Sequence, residues 1–75
     1  MKFIKDLSLE TIYSLLLKKV RFKSDCEFFP NFDVKCKIMD IHQKNNEILF
    51  EVIVYPSNKH LTIGSNMKNL SFEIL

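Results

Sequence analysis

An alternation of apolar and polar residues begins at Val20 and continues almost to the end of the chain. The segment FDVKCKI, residues 32–38, places four apolar side chains on one face of an extended chain and three charged ones on the other. A period of two is typical of a half-buried β-strand. Because a slip of one residue would turn the apolar set toward water, this pattern restricts the chain to sheets with one covered face.

Five segments with this alternation predict five strands. They cover residues 20–23, 32–38, 47–55, 60–63 and 70–75. The connections QKNNE (43–47) and PSNK (56–59) are rich in residues that favour tight turns. The third strand is unusual because its outer face also carries apolar residues, Leu49, Ile53 and Tyr55.

The segment SLETIYSLLLKK predicts a helix over residues 8–19. Ser8 suits the N-cap, Glu10 lies in the first turn, and two lysines complement the C-terminal dipole. Its apolar residues form a stripe along one side. The stripe consists of Leu9, Ile12, Tyr13, Leu16, Leu17 and Val20. We expect it to cover either the apolar outer face of the third strand or an open end of the β-structure.

The order of these elements resembles an SH3-like barrel with an added N-terminal helix. Residues 64–67, Gly-Ser-Asn-Met, resemble the short 3₁₀ turn before the last strand of SH3 domains. The resemblance implies a mainly β (α+β) fold in a single domain, residues 1–75, with a five-stranded barrel over residues 20–75. The chain has no Trp, and Met67 stands at the place of the turn tyrosine, so binding of PxxP peptides is not expected.

Two further resemblances bear on function. A helix followed by five short strands resembles Sm-like proteins, the alternative fold, which would imply nucleic-acid binding. A short chain rich in Lys, Asn, Ile and Phe also resembles small proteins of phages and mobile elements. Such proteins include inhibitors of host defence systems, among them anti-CRISPR proteins.

Composition and charge limit the classes of partner and the cellular compartment that we expect. Eleven Lys and Arg against nine Asp and Glu give a net charge of +2, too little to indicate nucleic-acid binding from composition alone. Asp6 and Glu10 interrupt the apolar segment that a signal peptide would need near the start of the chain. No apolar run is long enough to span a membrane. We therefore expect a complete, small cytoplasmic protein with reduced cysteines and no membrane contact.

Motifs for catalysis and metal binding are weak. Four side chains could ligate zinc, namely Cys26, Cys36, His42 and His60, but no two have the close spacing of a zinc site. No motif brings a cysteine and a histidine together as nucleophile and base. We expect no enzymatic activity, no metal and no cofactor.

The longest predicted connection, SDCEFFPNF over residues 24–32, is called the aromatic loop below. Phe28 and Phe29 are adjacent, so both cannot point inward in an extended chain, and Asp25 and Glu27 add acidic groups around them. An exposed aromatic side chain with a polar rim suits a protein-binding site. The alternative is that both rings plug the interior beneath the helix.

A second candidate site is basic. Arg21 and Lys23 of the first strand should neighbour Lys35 and Lys37 of the second, and these four residues are called the basic face. We expect two further cations, at residues 18 and 19, to lie close by. Such a surface can hold phosphates through counterion release, and an acidic protein surface would also fit. The alternative is an ordinary solvated face, partly neutralised by Glu73.

Three functional hypotheses follow. The first is a small non-enzymatic protein-binding module, an adaptor or inhibitor that acts by steric occlusion through the aromatic loop and the basic face. The second is a nucleic-acid-binding barrel that uses the basic face. The third is a structural subunit that self-associates through a strand edge or the apolar patch at Leu49, Ile53 and Tyr55, so that the chain is either a monomer or a homodimer.

Overall fold

The computed structural model describes residues 2–25, 28 and 31–75 as a mainly β chain. It contains one short 3₁₀ turn, Ile4–Asp6, and one α-helix, α1, Leu9–Tyr13. The six strands are β1 Lys2–Phe3, β2 Lys19–Ser24, β3 Phe32–Lys44, β4 Glu47–Val54, β5 Lys59–Gly64 and β6 Ser71–Ile74. The mainly β fold class is thereby confirmed.

All six strands form one antiparallel sheet in the order β1-β6-β2-β3-β4-β5. The sheet has one strand more than predicted, because Lys2 and Phe3 pair with Phe72 and Ser71 of β6. A strand of two residues is too short to show an alternation, which is why the pattern did not reveal it. Within the described residues no ladder joins β5 to β1, so backbone pairing does not close the sheet into the predicted barrel.

Strand β3 is long and contains a bulge. Its register with β4 shifts between Ile38 and Asp40, around Met39. Asp40 stabilises the bulge, since its Oδ1 accepts the backbone N–H of Ile41 at 2.9 Å. Before the bulge, Phe32–Lys37 pair with β2 and Cys36–Ile38 pair with β4, whereas the residues after it pair with β4. The bulge therefore lets one strand serve two parts of the sheet.

The core consists of the predicted inner faces of the strands together with residues from the N-terminal segment. Phe22 and Phe50 are fully buried, with their ring centroids 5.2 Å apart in a tilted arrangement. Such aromatic pairs add to the stabilisation that comes from buried area alone. The buried cluster is Ile4, Ile12, Leu15, Val20, Phe22, Cys36, Ile38, Ile41, Phe50, Val52, Ile63, Leu70 and Phe72.

The prediction of a helix over residues 8–19 is wrong at its C-terminal end. Ser8 is the N-cap as expected, since its Oγ accepts the N–H of Thr11 at 3.2 Å. The helix nevertheless ends at Tyr13, and tighter turns follow up to Leu17, which has a φ of 66°. The N–H of Leu17 donates to the carbonyl of Ile38 at 2.7 Å. Pairing with β3 therefore replaces the last turns of the predicted helix.

The predicted apolar stripe consequently divides. Its members Ile12 and Val20 enter the core, whereas Leu9, Tyr13, Leu16 and Leu17 are exposed. Leu15, which is not part of the predicted stripe, is also buried in the core. Ile12 also lines a surface groove together with Ile48, at the start of β4. The helix therefore contributes to the core through Ile12.

Asparagines take the backbone conformations that glycine usually supplies. The chain has one glycine, yet Asn45 and Asn46 both have positive φ, at 52° and 63°, in the two-residue turn between β3 and β4. Positive φ at both central residues matches the type I′ turn favoured in hairpins. This confirms the turn predicted at residues 43–47. Asn31, Asn58 and Asn69 also have positive φ.

The single glycine, Gly64, lies where a side chain would collide with Glu47. A Cβ at this position would clash with the Glu47 carboxylate, whose Oε2 accepts the backbone N–H of Asn66 at 3.1 Å. That hydrogen bond secures the turn after β5.

We expect Gly64→Ala to lower the free energy of unfolding by about 1 kcal/mol, because the displaced carboxylate loses its hydrogen bond. Urea unfolding of a double-mutant cycle with Glu47→Ala measures this coupling. In the Glu47→Ala background the glycine substitution should cost much less. Equal costs in the two backgrounds would contradict the assigned clash.

Candidate binding face

Strands β2 and β3 carry cations at matching positions on their outer face. Lys19 lies directly opposite Lys37, and Arg21 lies directly opposite Lys35. Side chains at such positions have Cβ atoms about 4.5–5.5 Å apart. The structure therefore places Arg21, Lys35 and Lys37 side by side, together with Lys19, which was expected close by. Lys23 lies directly opposite Asp33 and not opposite a cation.

Acidic side chains compensate one end of the basic face. Asp33 Oδ1 lies 3.1 Å from Arg21 Nε, and Asp33 Oδ2 lies 4.0 Å from Lys23 Nζ. Arg21 Nε finds no hydrogen-bond acceptor among the described residues, so its contact with Asp33 is electrostatic. Glu73 of β6 lies directly opposite Arg21 on the other side. Because these side chains are partly exposed, each pair is worth at most about 1 kcal/mol.

The other end of the basic face keeps its positive charge. Lys19, Lys35 and Lys37, called the lysine cluster below, form no ion pair with any acidic residue of the described chain. Lys18 does not join them. It lines a surface cavity of about 330 Å³ with Leu15 and Phe72 instead. The positive charge of the face is therefore concentrated on three lysines.

Tyr55 lies beside the lysine cluster. Its backbone N–H donates to the carbonyl of Lys35 at 2.9 Å, which continues the pairing of β3 with β4. Tyr55 is 38% exposed, and Lys19 Nζ lies 5.8 Å from its ring centroid, within the range of a cation–π contact. An aromatic ring thus lies among the cations. The sequence placed Tyr55 on an outer face but did not show which cations would surround it, because that depends on the register across three strands.

The aromatic loop is described in part. Phe28 is 87% exposed, so it does not plug the interior. Asp25 anchors the start of the loop, since its N–H donates to the Lys68 carbonyl at 3.0 Å and its Oδ2 accepts Asn69 Nδ2 at 3.1 Å. Phe29 and Glu27, the other residues predicted for this site, lie outside the described residues.

A histidine, a glutamate and a threonine meet elsewhere on the outer face. His42 Nε2 lies 3.4 Å from Glu51 Oε1, and the Thr62 hydroxyl donates to the same oxygen at 3.0 Å. The hydroxyl is therefore directed to the carboxylate and not to the imidazole, which is not the order needed to activate a nucleophile. The arrangement is a surface hydrogen-bond network.

The described part of the chain shows neither a metal-binding cluster nor a membrane-spanning helix. No three of its His, Cys, Asp or Glu side chains come together in a group that could hold a metal ion. None of its helices has the length and apolar character needed to cross a membrane.

Comparison with protein-family models, with curated proteins and with solved structures found no match to this chain.

Cys36 lies in the core, as the alternation predicts. It has no exposed surface, and burial raises the pKa of its thiol to about 11. The thiolate, which is the reactive form, is therefore suppressed at neutral pH. Cys36 acts as a small apolar side chain of the core.

We expect Cys36 to resist alkylation at neutral pH in the folded protein and to react readily in urea. A Cys26→Ser variant isolates the signal of Cys36, and mass spectrometry over a time course of maleimide treatment measures it. Rapid labelling without denaturant would show that the thiol is accessible and would contradict its place in the core.

Proposed function

We propose that this protein is a small non-enzymatic module that binds nucleic acid through the basic face. The observation that carries the proposal is the direct opposition of Lys19 and Lys37, with Lys35 beside them and no acidic partner for any of the three among the described residues. Cations on a sheet surface that lack acidic partners are well suited to phosphate oxygens.

The energetics support an anionic ligand at this place. Like charges directly opposite each other on neighbouring strands destabilise a sheet. An approaching phosphate would relieve this repulsion and release the counterions that otherwise screen it. The free energy of binding would therefore include relief of repulsion already present in the unbound protein.

The fold proposed for this module is an open SH3-like barrel. Strands β2 to β5 follow one another as a continuous antiparallel meander, and β6 returns to pair with β2. The bulge at Met39 bends β3 between the two parts of the sheet. These features support the arrangement expected from the resemblance.

A second candidate function is protein binding through the aromatic loop, and the exposure of Phe28 favours it. A large aromatic side chain in water is costly unless a partner covers it, and such residues are frequent hot spots. The partner would be blocked sterically, a mode that suits a cytoplasmic inhibitor of a host defence protein carried by a phage or mobile element.

For the basic face, we expect Lys37→Gln to weaken oligonucleotide binding and to reduce the slope of log K against log salt by about 0.7–0.9, since one phosphate contact is lost. Fluorescence anisotropy between about 50 and 200 mM salt measures both quantities. Lys44→Gln is the matched control, because it removes the same charge from β3 near the distant hairpin turn. Equal effects of the two substitutions would indicate that net charge alone governs binding and would reject the basic face as the site.

For the aromatic loop, we expect Phe28→Ala to abolish capture of a protein partner while changing the free energy of unfolding by less than about 0.5 kcal/mol. Affinity capture from a nuclease-treated lysate, with quantitative mass spectrometry, compares this variant with the parent protein. Tyr13→Ala serves as the control, since it removes another exposed aromatic ring. Retention of the same partner by the Phe28 variant would rule out the loop as its binding site.

A further inference from the structure

Tyr55 gives the basic face a feature that phosphate binding alone does not require. Its ring lies at the border of the lysine cluster, held by the backbone hydrogen bond to Lys35 and approached by Lys19. Ile53, two residues earlier on the same face of β4, lies directly opposite Lys37. The surface beside the lysines is therefore apolar and aromatic, although it belongs to the outer face of the sheet.

We infer that the ligand is a single-stranded nucleic acid, with one base stacked on Tyr55 and neighbouring phosphates held by Lys19, Lys35 and Lys37. This inference rests on the proposed function and specifies the class of nucleic acid that the basic face binds. Every base has a π-face that can stack on an aromatic ring, and this combination of ring and cations is characteristic of proteins that bind single strands.

The geometry disfavours duplex DNA as the preferred ligand. Reading a duplex in the major groove requires a helix or a free two-stranded ribbon that enters the groove. The α-helix of the described chain has only five residues. The lysine cluster lies on β2 and β3, which β6 and β4 flank within the same sheet, so these two strands do not form a free ribbon. The bases of a duplex are stacked inside it and out of reach of Tyr55, whereas a single strand leaves its bases free to stack on the ring.

The sequence offers a direct optical test of stacking. The chain contains no Trp and two Tyr, so a Tyr13→Phe variant reports Tyr55 fluorescence alone. We expect titration with single-stranded oligo(dT) or oligo(rU) of about 12 nucleotides to quench this fluorescence at low salt. A duplex of the same length should bind more weakly and leave the fluorescence largely unchanged.

Substitution separates stacking from charge. Tyr55→Leu should weaken single-strand binding about 10-fold or more while leaving the salt slope unchanged, because it removes a ring and no cation. Tyr55→Phe should bind within about 2-fold of the parent, since the ring is kept. Tyr13→Leu, at the other exposed tyrosine, is the matched control. Thermal unfolding by circular dichroism establishes that each variant is folded.

The outcomes distinguish this inference from the proposed function. Salt-dependent binding that is equal for single strands and duplexes and unaffected by Tyr55→Leu would overturn the stacking inference and leave the basic face as a phosphate site. Absence of salt-dependent binding to either probe would overturn both. Displacement of the oligonucleotide by polyglutamate at equal charge concentration would also overturn both, because the face would then recognise negative charge in general.

Discussion

The burial of Val20 and Phe22 on β2 determines where most other features of this sheet lie. β2 is central, paired with β3 on one side and β6 on the other, and both side chains are fully buried. Because neighbouring residues of a strand point to opposite faces, this burial turns Lys19 and Arg21 outward. A slip of one residue would bury the cations and expose Phe22, so core packing maintains the register that creates the basic face.

Sequence alternation predicted the central strands well for the same reason. Where a strand has neighbours on both sides, an apolar residue on the inner face is buried between them and cannot turn outward without exposing apolar surface, as at Cys36 and Val52. At the edges the rule weakens. Leu61 on β5 and Ile74 on β6 belong to the apolar alternation but are substantially exposed. β5 ends the sheet, and β1 pairs only with Phe72 and Ser71 of β6, so no strand flanks these two side chains on one side.

The end of the helix could not be predicted from local sequence. Residues 14–19 contain good helix formers and two terminal lysines, so propensity and charge both favour continuation. The competing interaction is distant in sequence, since Leu17 and Lys18 exchange backbone hydrogen bonds with Ile38. Tertiary pairing thus overrides the local preference. It also moves Lys19 out of the predicted helix and into β2, and this places its side chain opposite Lys37.

The candidate site combines an element that sequence could predict with one that it could not. Cations that alternate with apolar residues on two successive strands predict a basic face, whatever conformation the loop between the strands adopts. The position of Tyr55 depends on the β3–β4 register, which aligns Cys36 with Val54 and so brings Tyr55 beside Lys35. Asp33 and Glu73 lie toward Arg21, away from this tyrosine. The field of the face is therefore asymmetric, and its uncompensated charge lies where the outer surface is aromatic.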